Sequence, residues 1–382
     1  MKTGWIRLVC LAILLILIII PVGCREEDPN VTNRLRDLGI PLLSTYSDDS
    51  EALIRARCSW DMIAYDGNVY IGCGDYDTNK GPVTVWSYDP LEEEWNASRE
   101  PLADEHIKRY VILDGTLCIL GTDPRGDWST GSYYTLEDGA WREHRVLPSG
   151  IHCFDAVEYG GKTFFGLGVN AGDFPVVVTE DGENFSEVPF IMDGAPLDTS
   201  GTPVVRVYNF VVYDGELYAF LTNGDESSVY YEVYQYDGEC FCYYSSPPEV
   251  FLRDCDITYT GTFGGLATFV NGYCYYISED MTDFRPWRVE MSDFACDVMI
   301  IGDTQYVLAH TVLEDEEGYE TAVYCSADGK TFAKLFYFYD EIPANSFVYS
   351  DGVFYFSMGR YYDGDSTEMG RVYALNYTID KR

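Results

Sequence analysis

Histidine is scarce in this chain, with four residues in 382. That is too few for a copper oxidase built on a His/Tyr cluster. Basic residues are also scarce: 25 Lys and Arg stand against 63 Asp and Glu, a formal charge of −38. A surface this acidic repels phosphate backbones and argues against a nucleic acid partner. It favours solubility and attracts cations or basic partners. No CxxC pair occurs, so the commonest spacing of a zinc-binding hairpin is missing. Helical periodicity is absent from residue 58 onward. Long apolar runs are lacking too, except Leu8 to Ile20, which is too short to span a bilayer comfortably.

What is abundant points to strands. Tyr alone contributes 33 residues and aromatics make up 16% of the chain. Such side chains pack well on a pleated surface. With 47% hydrophobic and 23% charged residues, the composition is that of a globular chain.

The N-terminus reads as an export signal. Lys2 and Arg7 precede the apolar run, which ends in Pro21-Val22-Gly23-Cys24. This ending resembles a bacterial lipobox, although Pro21 stands where Leu is usual. The resemblance implies a signal peptide over 1–23 and lipidation of Cys24. An uncleaved anchor extending through Val22 is the alternative. Both readings place the remainder outside the cytoplasm, tethered to the membrane. Residues 24–38 then form a spacer and 39–382 the folded domain. Ten cysteines remain beyond Cys10 and Cys24. They fall mostly inside apolar runs at irregular spacing, which predicts mainly buried free thiols and at most one bridge. Cys240 and Cys242 share one strand face and are not expected to pair.

A repeat organises the rest. Tight turns occur at Asp66-Gly67, Asp114-Gly115, Gly160-Gly161, Asp214-Gly215, Gly264-Gly265, Gly302-Asp303 and Asp351-Gly352. Each lies between apolar runs, the signature of a two-residue hairpin. A second hairpin follows in each unit, with turns such as Asp138-Gly139, Asp181-Gly182, Asp237-Gly238 and Asp328-Gly329. Two hairpins give four strands. Units of this size, repeated, predict an all-β fold: a single β-propeller of about seven four-stranded blades. The last unit is one strand short. Residues 40–46 are expected to supply that strand and close the ring, because Tyr46 sits at the spacing of the other outer-strand aromatics. In the fifth unit, Asn271-Gly272 is read as the link between second and third strands.

Gly72-Cys73-Gly74 with Trp86-Ser87-Tyr88-Asp89-Pro90 and Trp95 resembles a kelch repeat. Ser326-Ala327-Asp328-Gly329-Lys330-Thr331-Phe332 is similar to the Asp-box of sialidase-type propellers, one residue short. These resemblances imply the fold more than any activity.

Candidate sites follow from the repeat. Five residues before each first turn stand Asp61, Arg109, Asp155, Asn209, Tyr259, Asp297 and Ser346. They form a polar belt at one depth of the central channel. Asp61, Asp155 and Asp297 are candidates for acid and base. Arg109, Asn209, His106, His152 and Arg206 are candidates for binding. Arg57, Arg206 and Arg253 offer a poor match to the arginine triad of a sialidase. Asp75, Asp77 and Asn79 offer alternate oxygen ligands for Ca²⁺, though Gly81 falls one place late; no other cofactor is implied. The long acidic loops gather on one face, which is therefore the functional candidate. The leading expectation is a surface-anchored binding module for protein or glycan. The alternative is a carbohydrate-active enzyme working at the channel mouth.

Overall fold

The computed structural model describes residues 28–379 apart from 47–53, 75–80, 124–129, 149, 151, 171–172, 199–203, 225–229, 248–257, 272–273, 288–293, 314–317 and 360–365. The regular secondary structure of the described residues is almost entirely strand, with two short 3-10 turns at Thr32–Arg34 and Pro41–Ser44.

Five four-stranded antiparallel sheets and one ten-stranded sheet stand in a β-propeller arrangement. The first sheet holds β2 (Met62–Tyr65), β3 (Asn68–Ile71), β4 (Trp86–Asp89) and β5 (Glu94–Ala97). The second holds β6 (Tyr110–Leu113), β7 (Thr116–Leu120), β8 (Thr130–Glu137) and β9 (Ala140–Pro148). Two later sheets run from β20 (Thr258–Phe263) to β23 (Phe284–Trp287) and from β24 (Phe294–Ile301) to β27 (Ala333–Asp340). In the first of these, Gly264-Gly265 joins β20 to β21 (Leu266–Val270), and β22 begins at Tyr275, as the sequence predicts.

The ten-stranded sheet contains two four-stranded runs. One is β10 (His152–Tyr159), β11 (Lys162–Asn170), β12 (Val176–Thr179) and β13 (Phe185–Glu187). The other is β16 (Val204–Tyr213), β17 (Glu216–Gly224), β18 (Tyr230–Tyr236) and β19 (Phe241–Ser245). They join because β11 and β16 are long enough to pair at their ends, Gly168 opposite Arg206. The hairpin of β14 (Phe190–Met192) and β15 (Ala195–Pro196) covers the outer edge of β19 by parallel pairing. It accounts for the longest interval in the repeat, between Gly160 and Asp214.

The turn chemistry dictates the first hairpins. Asp66 and Gly67 both have positive φ, 47° and 76°, as a type I′ turn requires. At Gly302-Asp303 the order is reversed. There Gly302 has φ 57° and Asp303 is not left-handed, the pattern of a type II′ turn with Gly first.

The sheets pack face to face through aromatic cores. Phe164, Phe210 and Phe241 interlock between the two runs of the ten-stranded sheet. First strands touch in the order β6, β10, β16, β20, β24, β28 (Ala344–Ser350) and β2. Asp61 links β2 back to β6 by accepting the Tyr110 N–H at 2.8 Å.

An N-terminal strand does complete the last sheet, but not the expected one. It is β1 (Arg36–Asp37), which pairs with β30 (Val372–Asn376): Arg36 opposite Ala374, Asp37 opposite Tyr373. Residues 40–46 instead hold the Pro41–Ser44 turn, which buries Leu42 and Tyr46 between the last sheet and the first. Pro41 has no N–H to give a ladder. Nor do residues 28–38 stand clear of the fold, as a spacer would. Val31 is 1% exposed, and its N–H donates to the Tyr337 carbonyl.

Candidate functional site

Groups of the expected polar belt tie neighbouring first strands together. Asp61 Oδ1 accepts the Met62 N–H of its own strand, and Oδ2 accepts Tyr110 N–H from the next sheet. Asp155 repeats this with Ala156 and Phe210, and Asp297 with Val298 and Phe347. Asn209 Oδ1 accepts Tyr259 N–H at 3.0 Å. Arg109 lies 3.0 Å from Asp155 Oδ1. Asn345 Nδ2 donates to the Ser59 carbonyl, joining last sheet to first. Burial pushes the Asp61 carboxyl up to about 7, against the pull of the Tyr110 N–H, and the Asp297 charge adds to the rise. Burial likewise pushes Asp297 up to about 6 and raises Asp155, the latter opposed by Arg109.

A bulge accompanies the belt. Register shifts fall between Cys153 and Asp155, Val207 and Asn209, Tyr259 and Gly261, Ala295 and Asp297, and Ala344 and Ser346. In four of these five strand pairs the residue just before the belt residue is thus the extra one. A bulge re-aims side chains on either side of it.

A second cluster adjoins the belt, and the bulges at Phe154 and Tyr208 supply two of its side chains. His106, His152 and Arg206 each stand three residues before their belt residue; Trp60, Lys108, Phe154 and Tyr208 stand one before. His152 and Arg206 flank the same residue, Gly168, across β11. A side chain at Gly168 would come within 2.8 Å of the Phe154 ring, so glycine there leaves room for it. His152 stacks on Phe154 with ring centres 5.3 Å apart, and Phe154 meets Tyr208 at 4.5 Å. Lys108 Nζ lies 5.8 Å from both the Phe154 and Tyr208 rings. The Arg206 guanidinium is 5.9 Å from Phe154 and donates to the Tyr208 hydroxyl at 2.8 Å.

Carboxylates support the histidines from behind. His152 Nε2 lies 3.0 Å from Asp123 Oδ1. Glu105 and His106 are fully buried beside this pair, and His106 packs on Trp60 at 5.4 Å. Burial holds His106 down at about 3, helped by the Lys108 and His152 charges, so this imidazole is neutral. For Asp123 burial works upward but is outweighed by the hydrogen bond and charge of His152, and its carboxyl sits below the usual range. An imidazole oriented by a carboxylate, next to a tyrosine hydroxyl held by an arginine, can bind an anion or exchange a proton.

The structure thus brings His106, His152 and Arg206 together and places Arg109 and Asn209 in the belt beneath. Asp61, Asp155 and Asp297 lie in the belt, each with both oxygens on hydrogen-bond donors. Arg57 is buried. Arg253, the Ca²⁺ candidates Asp75, Asp77 and Asn79, and the lipidation candidate Cys24 lie outside the described residues. The long acidic loops are also largely outside them. Sequence spacing passes over Lys108, Asp123, Phe154 and Tyr208. The alternation His106-x-Lys108, His152-x-Phe154, Arg206-x-Tyr208 at one repeat position is the signal that marks most of them. The nine described cysteines are free thiols.

No protein-family model and no curated protein matches the chain. Solved structures do match. A PL25 ulvan lyase, described as a new family of polysaccharide lyase, is 12% identical with a TM-score of 0.49, covering 83% of this chain and 91% of that one. The endosialidase of phage phi92 is 11% identical with a TM-score of 0.44, covering 91% and 70%. The polysaccharide lyase Uly1 is 10% identical with a TM-score of 0.43, covering 84% and 90%. At these identities the matches bear on neither substrate nor site.

Proposed function

We propose that this chain is an extracytoplasmic, membrane-anchored propeller of seven blades that binds an acidic saccharide. The blade count follows when the ten-stranded sheet is read as two blades fused at β11 and β16. The first strands then form a closed ring of seven. The anchor rests on Cys24 in its lipobox-like setting. Fractionation of cells expressing the full chain checks it: Cys24→Ala should release the protein from the membrane, and unchanged membrane association removes the lipid reading.

The observation that carries the ligand reading is the cluster of Lys108, Arg206 and His152 around the Phe154 and Tyr208 rings. In a chain of charge −38, Lys108 and Arg206 place two cations around one pair of rings. Cations suit a carboxylate or sulfate, and ring faces suit the C–H face of a sugar. Calorimetric titration with uronate-containing and sulfated polysaccharides tests it. Arg206→Ala and Lys108→Ala should each weaken binding about tenfold, a loss of about 1.4 kcal/mol, and added salt should weaken it further. Equal affinity in both variants, or a preference for neutral glycans or a protein ligand, sinks the reading.

A second reading, a carbohydrate-active enzyme, is favoured by the His152–Asp123 and Arg206–Tyr208 pairs. Because the Asp61, Asp155 and Asp297 oxygens are engaged in hydrogen bonds, proton transfer in this reading belongs to His152 and Tyr208. The same incubations, followed for new reducing ends, decide between binder and enzyme.

A further inference from the structure

The turn from β18 to β19 adds two sulphurs to the aspartate that it shares with other second-hairpin turns. Asp237 opens this turn, and its Oδ1 accepts the backbone N–H of Glu239 and of Cys240, both at 2.9 Å. That fixes the carboxylate and leaves Oδ2 facing two sulphurs. Oδ2 is 3.4 Å from Cys240 Sγ and 3.5 Å from Cys242 Sγ, and the sulphurs are 3.7 Å apart. Cys240 ends the turn and Cys242 stands in β19, and the turn brings both sulphurs to one side of the Asp237 carboxylate.

The distances have a simple reading. In a tetrahedral zinc site with Zn–S of about 2.3 Å and Zn–O of about 2.0 Å, two sulphurs are about 3.8 Å apart and a sulphur and an oxygen about 3.5 Å. The three observed separations are those of one face of such a tetrahedron. A disulfide would need the sulphurs at about 2.0 Å and the turn to deform.

The turn itself does not demand sulphur. Asp181, Asp280 and Asp328 make the same pair of backbone hydrogen bonds at the equivalent turns. Asn184, Asp283 and Thr331 stand there in the place of Cys240, and Ser186, Arg285 and Ala333 in the place of Cys242. The thiols are therefore particular to this turn and separate from its folding role. Thiolates select soft or borderline cations over Ca²⁺ and Mg²⁺. An adjoining cavity of about 320 Å³, lined by Tyr159, Glu216 and Cys242 among others, leaves space for a further ligand.

We propose that Asp237, Cys240 and Cys242 form a three-ligand site for a thiophilic divalent cation such as zinc or cadmium, with the fourth position open to water or an outside ligand. On binding, each thiol releases its proton to solvent and its sulphur lone pair goes to the metal. No electron is transferred. The site lies at the turn between β18 and β19, where β14 pairs with Cys242, and does not depend on the saccharide reading.

Titration of the reduced full chain with Co²⁺ in the absence of air tests this. The expected result is one equivalent bound, with thiolate-to-cobalt charge transfer and tetrahedral ligand-field bands that zinc abolishes. Cys240→Ser with Cys242→Ser should remove the charge transfer. Asp237→Asn should keep it and weaken binding about tenfold. Absence of charge transfer, its persistence in the double variant, or unchanged affinity in Asp237→Asn each overturns the assignment. The unaltered chain gives an independent readout. Cd²⁺ should protect Cys240 and Cys242 from alkylation by iodoacetamide, as read by peptide mapping, and equal labelling with and without Cd²⁺ overturns it.

Discussion

Asp61 holds two backbone N–H groups, one from Met62 and one from Tyr110 in the next sheet. Removing the carboxyl leaves the N–H groups of the buried residues Met62 and Tyr110 without this acceptor, and an unsatisfied buried donor costs about 1–3 kcal/mol. Asp61→Ala should therefore lower the stability of the fold by about 2–4 kcal/mol. Asp61→Asn keeps one acceptor, and Asn209 shows that an amide serves this role, since it holds Tyr259 N–H. The amide also removes a charge that burial and Asp297 both disfavour. Its cost should be less than half that of the alanine variant, as urea unfolding at pH 8 would show. Equal losses in the two variants would mean that the oxygen's hydrogen bonds are not what the position supplies. The same reasoning explains why the belt looks catalytic in the sequence. A row of carboxylates at one depth marks a channel-lining acid–base pair and an inter-sheet clasp alike. Which one it is depends on where the oxygens point, and periodicity carries no information about that.

The hairpins were legible at the scale of elements because their turns are chemically restrictive. Asp66-Gly67 can adopt two successive positive φ angles where most pairs cannot, so a dipeptide locates a hairpin to the residue. Closure of the last sheet was legible only as a need. The edge of β30 had to be covered, but a two-residue strand such as Arg36–Asp37 carries too little pattern to find. Tyr46 drew attention because buried aromatics mark outer strands and packed turns alike. The β14–β15 hairpin left a trace in the length of one interval, yet its parallel pairing with β19 joins residues about fifty apart, a relation no local spacing encodes. The candidate site shows the same limit. His106, His152 and Arg206 occupy one repeat position and were readable. Asp123 comes from the connection that follows β7 and reaches His152 only through the fold.

For the whole molecule, pH sets two opposing groups of carboxylates against each other. Asp61, Asp104 and Asp297 are raised by burial to about 7, 6 and 6, against unfolded values of about 4. Between about pH 4 and 7 the folded chain therefore binds more protons than the unfolded one. Stability from these groups is full below about pH 4 and is lost as pH rises through 6 and 7. The turn acids behave the other way. Asp328, held by the Thr331 and Lys330 N–H groups, is pushed down to about 2, and Asp280 is lowered by Asp283 and Thr282. Their contribution is present above about pH 4 and is lost as pH falls toward 2. The formal charge of −38 adds self-repulsion that eases as carboxylates take up protons. The melting temperature should thus peak between about pH 4 and 6, and fall on both sides. Added salt should raise it most at pH 8, where repulsion between surface charges is greatest and is screened. In Asp61→Asn the fall between pH 5 and 8 should flatten, since one of the raised carboxyls is gone. A thermal scan in a constant-ionic-strength buffer series decides the matter. A melting temperature that climbs steadily from pH 5 to 8 would show that burial does not hold the belt carboxyls above their ordinary range.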